Sequence, residues 1–137
     1  MSARPDAILC RLWREDRGSA PAEFAMVSVL LVFLVLGVVQ FALAVFVRNT
    51  ALDAAAEGAR QAALADSTLD AGAERTRELI STTLGAEYAT DVRASYADWN
   101  GSRVAQVTVR APLPVIGLLG PEGSMEVAGH AALETIG

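Results

Sequence analysis

The sequence predicts an α+β protein: a single N-terminal transmembrane helix continues as an extended helical spine and leads to a small C-terminal antiparallel sheet of about three strands. Three observations carry that expectation. From Phe24 to Val47 there are 24 residues without a formal charge, and at ~1.5 Å per helical residue such a run crosses a ~30 Å hydrocarbon core. From Arg48 to Ala65 the chain has no Pro and is dominated by Ala, the strongest helix former. After Gly85 the apolar residues alternate with polar ones, the pattern of a strand with one buried face.

The first 18 residues are a short charged leader in which Arg4, Arg11, Arg14 and Arg17 stand against Asp6, Glu15 and Asp16. Because basic residues beside a span stay in the cytoplasm and acids count little, the N-terminus is expected inside. Residues 48–137 carry seven Arg against twelve acids and are expected outside. With no basic patch there, nucleic acid is not an expected partner. Cys10 is the only cysteine, which excludes an internal disulfide, and in a cytoplasmic leader it would be reduced.

The apolar run is interrupted by Ser28, Gly37 and Gln40. Gly37 suits close helix–helix contact and is also common in membrane helices; Gln40 suits a hydrogen bond to a neighbouring helix. Beyond the run, Leu52, Ala55, Ala59 and Ala62 fall at helical spacings and predict a narrow small-residue stripe. Gly58 within it marks a kink or an unusually close contact. Ser67-Thr68-Leu69-Asp70 reads as a capping box for a second helix that ends near Leu84, with Gly85 as a left-handed terminator. Leu69, Ala73, Thr76, Ile80 and Thr83 mark its inner face, with Leu79 and Leu84 beside it.

Val92, Ala94 and Tyr96 begin the strand pattern, and Asn100-Gly101 signals a hairpin within a loop expected to exceed two residues. Ala105, Val107, Val109 and Ala111 alternate with Gln106, Thr108 and Arg110, and Pro112 and Pro114 close that strand. A last strand from Met125 to Glu134 places Met125, Val127, Ala131 and Leu133 on one face. Trp99 is expected to cover the end of the sheet. The apolar loop 115–119 fits core, a membrane surface or a subunit contact.

No catalytic constellation is visible, so the chain is not read as an enzyme, and no cofactor or metal is expected. His130, the only histidine, alternates onto the polar side of the last strand with no Cys or second His to complete a metal site. Acids such as Glu74 and Glu78 are spread as solvated helix faces.

Glu23 is different. It stands at the lip of the apolar run, where an ionisable group is costly unless paired. Arg17-Gly18-Ser19-Ala20-Pro21-Ala22-Glu23-Phe24 places a Glu five residues and a Phe six residues after a Gly that ends a charged leader. This resembles the N-terminus of type IV prepilins. Downstream, Arg48-Asn49-Thr50-Ala51-Leu52-Asp53-Ala54-Ala55-Ala56-Glu57-Gly58-Ala59-Arg60-Gln61-Ala62-Ala63 resembles the block of TadE-type pseudopilins. The resemblance covers about residues 17–65, with one departure at Pro21, where a small or aliphatic residue is more usual.

The resemblance implies a TadE-like minor pilin or pseudopilin of a Tad/Flp-type pilus. A prepilin peptidase would cut between Gly18 and Ser19 on the cytoplasmic face, and Glu23 and Phe24 would act in subunit assembly, Glu23 by pairing with the new amine of a neighbour. The expected partners are the membrane, the prepilin peptidase, other pilins and pseudopilins, and Tad inner-membrane assembly proteins. The expected location is the bacterial inner membrane, single-pass. The domains are then a cytoplasmic leader at 1–18, a transmembrane assembly helix at 19–47, an extracytoplasmic helical region at 48–85 and a β-rich head at 86–137. Two alternatives stand beside this one. Ala54-Ala55-Ala56 satisfies a small-x-small cleavage rule, which would release a secreted soluble binding domain, and the chain would otherwise be an unprocessed single-pass anchor.

Overall fold

The computed structural model describes residues 6–114 and 124–135, with side chains from Gly18 onward. The apolar loop 115–119 lies outside the described residues. The elements are α1 (Asp6–Ala63), α2 (Leu69–Thr83), a single 3-10 turn (Ala86–Tyr88), then β1 (Asp91–Trp99), β2 (Ser102–Pro112) and β3 (Ser124–Ala132). The strands form one antiparallel sheet in the order β1-β2-β3. This is the α+β architecture expected. The chain divides into two compact units, Met1–Val39 and Gln40–Gly137.

The first unit is helical throughout its described length, with Pro21 inside the helix. From Phe24 onward its large apolar side chains are exposed, Phe24 at 75% and Leu34 at 63%. Ser28 is the one hydroxyl there, and its Oγ donates to the Phe24 carbonyl one turn back at 2.7 Å. That bond removes the cost of carrying a hydroxyl in an apolar stretch.

In the second unit the inner face of α1 is built from small residues. Val47, Ala51, Ala54, Ala55, Ala59 and Ala62 are buried. The stripe expected to start at Leu52 starts instead at Ala51, and Leu52 is exposed. Val47, Ala51, Ala55 and Ala59 recur every four residues on the buried face, and Leu52, one residue on from Ala51, is turned away from it. Gly58 is a close contact: a Cβ there would stand 1.8 Å from Thr76 Oγ1 and 2.6 Å from the Gly72 carbonyl of α2. The crossing is reciprocal, since a Cβ on Gly72 would stand 2.5 Å from the Gly58 carbonyl. Gly129 of β3 does the same to the other neighbour, its hypothetical Cβ falling 2.4 Å from the backbone of Ala55 and Ala56.

Thr76 is fully buried at this crossing, with its Oγ1 3.0 Å from the Gly72 carbonyl and 3.2 Å from the Ala54 carbonyl. The hydroxyl donates to either acceptor and ties α2 to α1 without leaving a polar group unsatisfied. Ile80 lies one turn further along α2 and is fully buried with Val107 and Val109, each contributing ~1.5–3 kcal/mol through burial.

The inner face of α2 is Gly72, Ala73, Thr76 and Ile80. Leu69 is half-buried, and Thr83, expected inside, is exposed because the helix is ending there. The N-cap is Thr68 rather than Ser67. Its side chain accepts from the Ala71 amide at 3.1 Å, so Asp70 falls in the first turn instead of the reaching-back position. At the other end the amides of Leu84 and Gly85 both donate to the Ile80 carbonyl. Gly85 has φ 116° and ψ 157°, positive as a terminator requires but extended rather than left-handed helical.

In the sheet, Val92, Val109 and Val127 form one inward row, and Ala94, Val107 and Gly129 the next. Trp99 pairs directly with Ser102, so Asn100-Gly101 is a two-residue hairpin turn, tighter than expected. Both turn residues have positive φ, 49° and 81°, as the twist-matched hairpin turn requires. β3 ends at Ala132, two residues short of the expected Glu134. Beyond it the Glu134 amide donates to the Ala63 carbonyl at 3.0 Å, satisfying a helix-end acceptor in place of a sheet bond.

Candidate functional site

The segment singled out by its spacing, Gly18 to Phe24, is helical and exposed residue by residue. Among the described residues nothing lies within 4 Å of where a Cβ on Gly18 would be. Ser19 follows it on the exposed helix, and Glu23 stands one turn further on. At a separation of four residues Ser19 and Glu23 share one face, and a helical side chain leans toward the N-terminus. The Glu23 carboxylate therefore leans toward the level of the Ser19 nitrogen. Among the described residues Glu23 makes no hydrogen bond or ion pair, and Phe24 beside it is 75% exposed. A carboxylate and a phenyl ring are thus presented together, both exposed, at the start of the apolar run.

Gly37 is exposed with open space around it, so nothing in its own unit explains the missing side chain. Gln40, in the second unit, is half-buried. The structure brings Gly18, Ser19, Glu23 and Phe24 together on two turns of one helix, and Gly37 and Gln40 lie further along the same helix.

Past the apolar run α1 carries a polar outer face. Arg48, Asn49, Asp53 and Arg60 are exposed, and Arg60 pairs with Glu57 one turn back at 3.3 Å. Such exposed pairs contribute only ~0.2–1 kcal/mol. On α2 the spread acids are likewise paired at the surface, Glu78 with Arg75 and Glu74 with Arg77. Arg77 also donates to the Val92 carbonyl at 3.0 Å, which ties α2 to β1.

Trp99 and His130 share the outer face of the sheet, opposite the row that holds Ala105, Val107 and Val109. His130, expected to be solvent-exposed, is half-buried and stacks on Trp99 with ring centroids 4.5 Å apart. Because β2 lies between their strands, the pair bridges it, and Val104 of β2 is only 6% exposed on that side. Trp99, expected to cover the end of the sheet, meets His130 with one side of its ring and stays 54% exposed. Near the hairpin the Arg103 guanidinium lies 5.0 Å over the Tyr96 ring. On the same sheet Arg110 Nε donates to Glu126 Oε2, and this carboxylate holds the guanidinium above its ordinary value. Among the described residues no group of three or more His, Cys, Asp or Glu is placed to hold a metal ion.

The stretch Gly18–Ala63 contains a segment long and apolar enough to cross a membrane. Residues 18–60 match the family model TadE-like protein. The match begins on the Gly of the leader motif and spans the apolar run and most of the small-residue block, the same parts that carry the resemblance in the sequence. No curated protein and no solved structure matches the chain.

Proposed function

We propose that this chain is a TadE-like minor pilin or pseudopilin, cut by a prepilin peptidase after Gly18 and assembled through its N-terminal helix into or alongside a Tad/Flp-type pilus. The observation that carries the reading is the family match over residues 18–60, which starts at the expected cleavage position. The role is structural rather than enzymatic. The chain sits in the bacterial inner membrane, leader in the cytoplasm and sheet outside, in line with the Arg distribution.

The mechanism follows from charge in an apolar setting. Cleavage creates an ammonium on Ser19 at the edge of the membrane. Among packed helices that ammonium and the Glu23 carboxylate each cost several kcal/mol when left unpaired, and pairing offsets much of it. A neighbour whose amine meets Glu23 is shifted along the axis by no more than about one helical turn, ~5.4 Å. A subunit in another register leaves both charges unpaired, so the pair selects the register. Phe24 and the exposed apolar run supply the packing surface, while Gly37 and Gln40 provide a close-approach point and a hydrogen-bonding group.

Burial speaks against the secreted alternative. Val47, Ala51, Ala54 and Ala55 lie in the core with Val107, Val109, Met125 and Val127. Cleavage at Ala54-Ala55-Ala56 would strip the sheet of the surface on which Gly129 seats. The mass of the mature N-terminus decides among the readings: Ser19 supports the prepilin, a start near Glu57 the secreted domain, and an uncut Met1 the plain anchor.

A further inference from the structure

Pro21 lies inside α1, three residues after Gly18. In an α-helix the peptide bond between residues 18 and 19 is enclosed by four hydrogen-bonded rings, closed by the amides of residues 19, 20, 21 and 22. Proline has no amide proton, so the ring ending on the Arg17 carbonyl is absent, and the pyrrolidine crowds that carbonyl. The same pyrrolidine disfavours the helical conformation of Ala20. Gly18 adds the lowest helix propensity short of proline. Among the described residues no tertiary contact offsets these losses, because Gly18 to Glu23 are all exposed and nothing lies within 4 Å of a Cβ on Gly18. From Ala22 onward the helix runs without a further Pro or Gly until Gly37. The weak turn therefore coincides with the bond to be cut, and the strong helix starts just behind it.

A helix hides its peptide bonds from an attacking group, since the carbonyl of Gly18 is the acceptor for the amide of residue 22. Cleavage needs that turn to open. Resting on the prepilin reading, we propose that Pro21 is a positioning residue of the processing site, which holds the Gly18–Ser19 bond in a turn that opens for the peptidase while the membrane helix behind it stays formed. Pro21 acts through the backbone and need not touch the enzyme.

The test uses the full-length chain in membranes with a prepilin peptidase, following the Ser19 product by mass over time. Pro21→Ala restores the missing ring and slows cleavage by about tenfold or more. In the uncut precursor, hydrogen exchange at Ser19, Ala20 and Ala22 slows by a similar factor. Pro21→Ala combined with Ala22→Pro removes another of the four rings and restores cleavage; Pro21→Ala combined with Met26→Pro opens a ring outside the site and does not. Equal rates for parent and Pro21→Ala overturn the proposal. So does a slowed Pro21→Ala that Ala22→Pro fails to rescue, which would make Pro21 a direct contact of the enzyme. A parent chain left uncut at Gly18 while its Ser19–Ala22 amides exchange rapidly removes the prepilin reading, and the use of the opening with it.

Discussion

Two stretches of one helix have opposite surfaces. Between Phe24 and Phe46 the large apolar side chains point outward, Phe24 at 75% and Phe41 at 71% exposed. Between Ala51 and Ala63 the inward residues are small, and Ala51, Ala55 and Ala59 are fully buried. Hydropathy alone does not separate these surfaces. Size does. Large side chains offer area to lipid or to another subunit's helix, whereas Ala and Gly let this chain's own α2 and β3 approach the helix backbone. An apolar surface as continuous as that of 24–46 persists only where something apolar covers it, and among the described residues none of 24–46 belongs to the buried core clusters.

Gly18→Leu should abolish processing, leaving full-length precursor in the membrane by mass, because a peptidase pocket facing Gly has little room for a side chain. Normal maturation of that variant would remove the prepilin reading. Next come the glycines. Gly72→Leu should destabilise the second unit by about 3 kcal/mol or more, since overpacking meets the Gly58 carbonyl at a distance no side chain tolerates. Gly37→Leu, in open space, should leave thermal unfolding of that unit unchanged. If both behaved alike in thermal scans, the contrast between the two stretches would be wrong.

Smaller effects sharpen the same contrast. Ile80→Ala should cost ~2–5 kcal/mol by denaturant unfolding, as expected for a fully buried aliphatic residue. Leu34→Ala, at 63% exposure, should change that stability by less than ~0.5 kcal/mol. Thr68→Ala removes the cap on the Ala71 amide and should cost ~1 kcal/mol, whereas Ser67→Ala should not. A larger loss from Ser67 would return the cap to the position the sequence pattern suggested.

Much of this architecture was legible because it rests on periodicity. The alternation from Ala105 to Ala111 gave the central strand its inner face correctly, and all four residues are buried. The second helix and its end near Leu84 followed from propensity and Gly85. What escaped was phase and proximity. Ser67 and Thr68 are both competent caps, and only the packing of α2 chooses between them. Leu52 fits the helical stripe as well as Ala51 does, and only the phase set by the buried residues Val47, Ala51, Ala55 and Ala59 separates them. Gly72 and Gly129 lie inside a helix and a strand, where glycine is intrinsically unfavourable and carries no pattern signal. Their use, as places where two backbones meet, needs the partner element to be known. The Trp99–His130 stack needs register across three strands. For the candidate site, the spacing of Gly18, Glu23 and Phe24 carried the expectation. The partner assigned to Glu23 belongs to another subunit, so the fold of one chain does not display the pair.

Under the proposed function, Glu23 sets the register in which the exposed stretch packs against a neighbour. Maturation would remove Cys10 with the leader and leave no other cysteine, so a single Cys introduced in the apolar run reports contacts between subunits without interference. In cells carrying the pilus system, that chain should crosslink to its neighbours. Glu23→Ala should still be processed and inserted, because losing a charge eases insertion, yet its crosslinking should fall sharply. Glu23→Gln, which keeps the shape and loses the charge, should fall nearly as far. Parental crosslinking and assembly in both variants would contradict the account and reduce Glu23 to a residue at the level of the lipid headgroups.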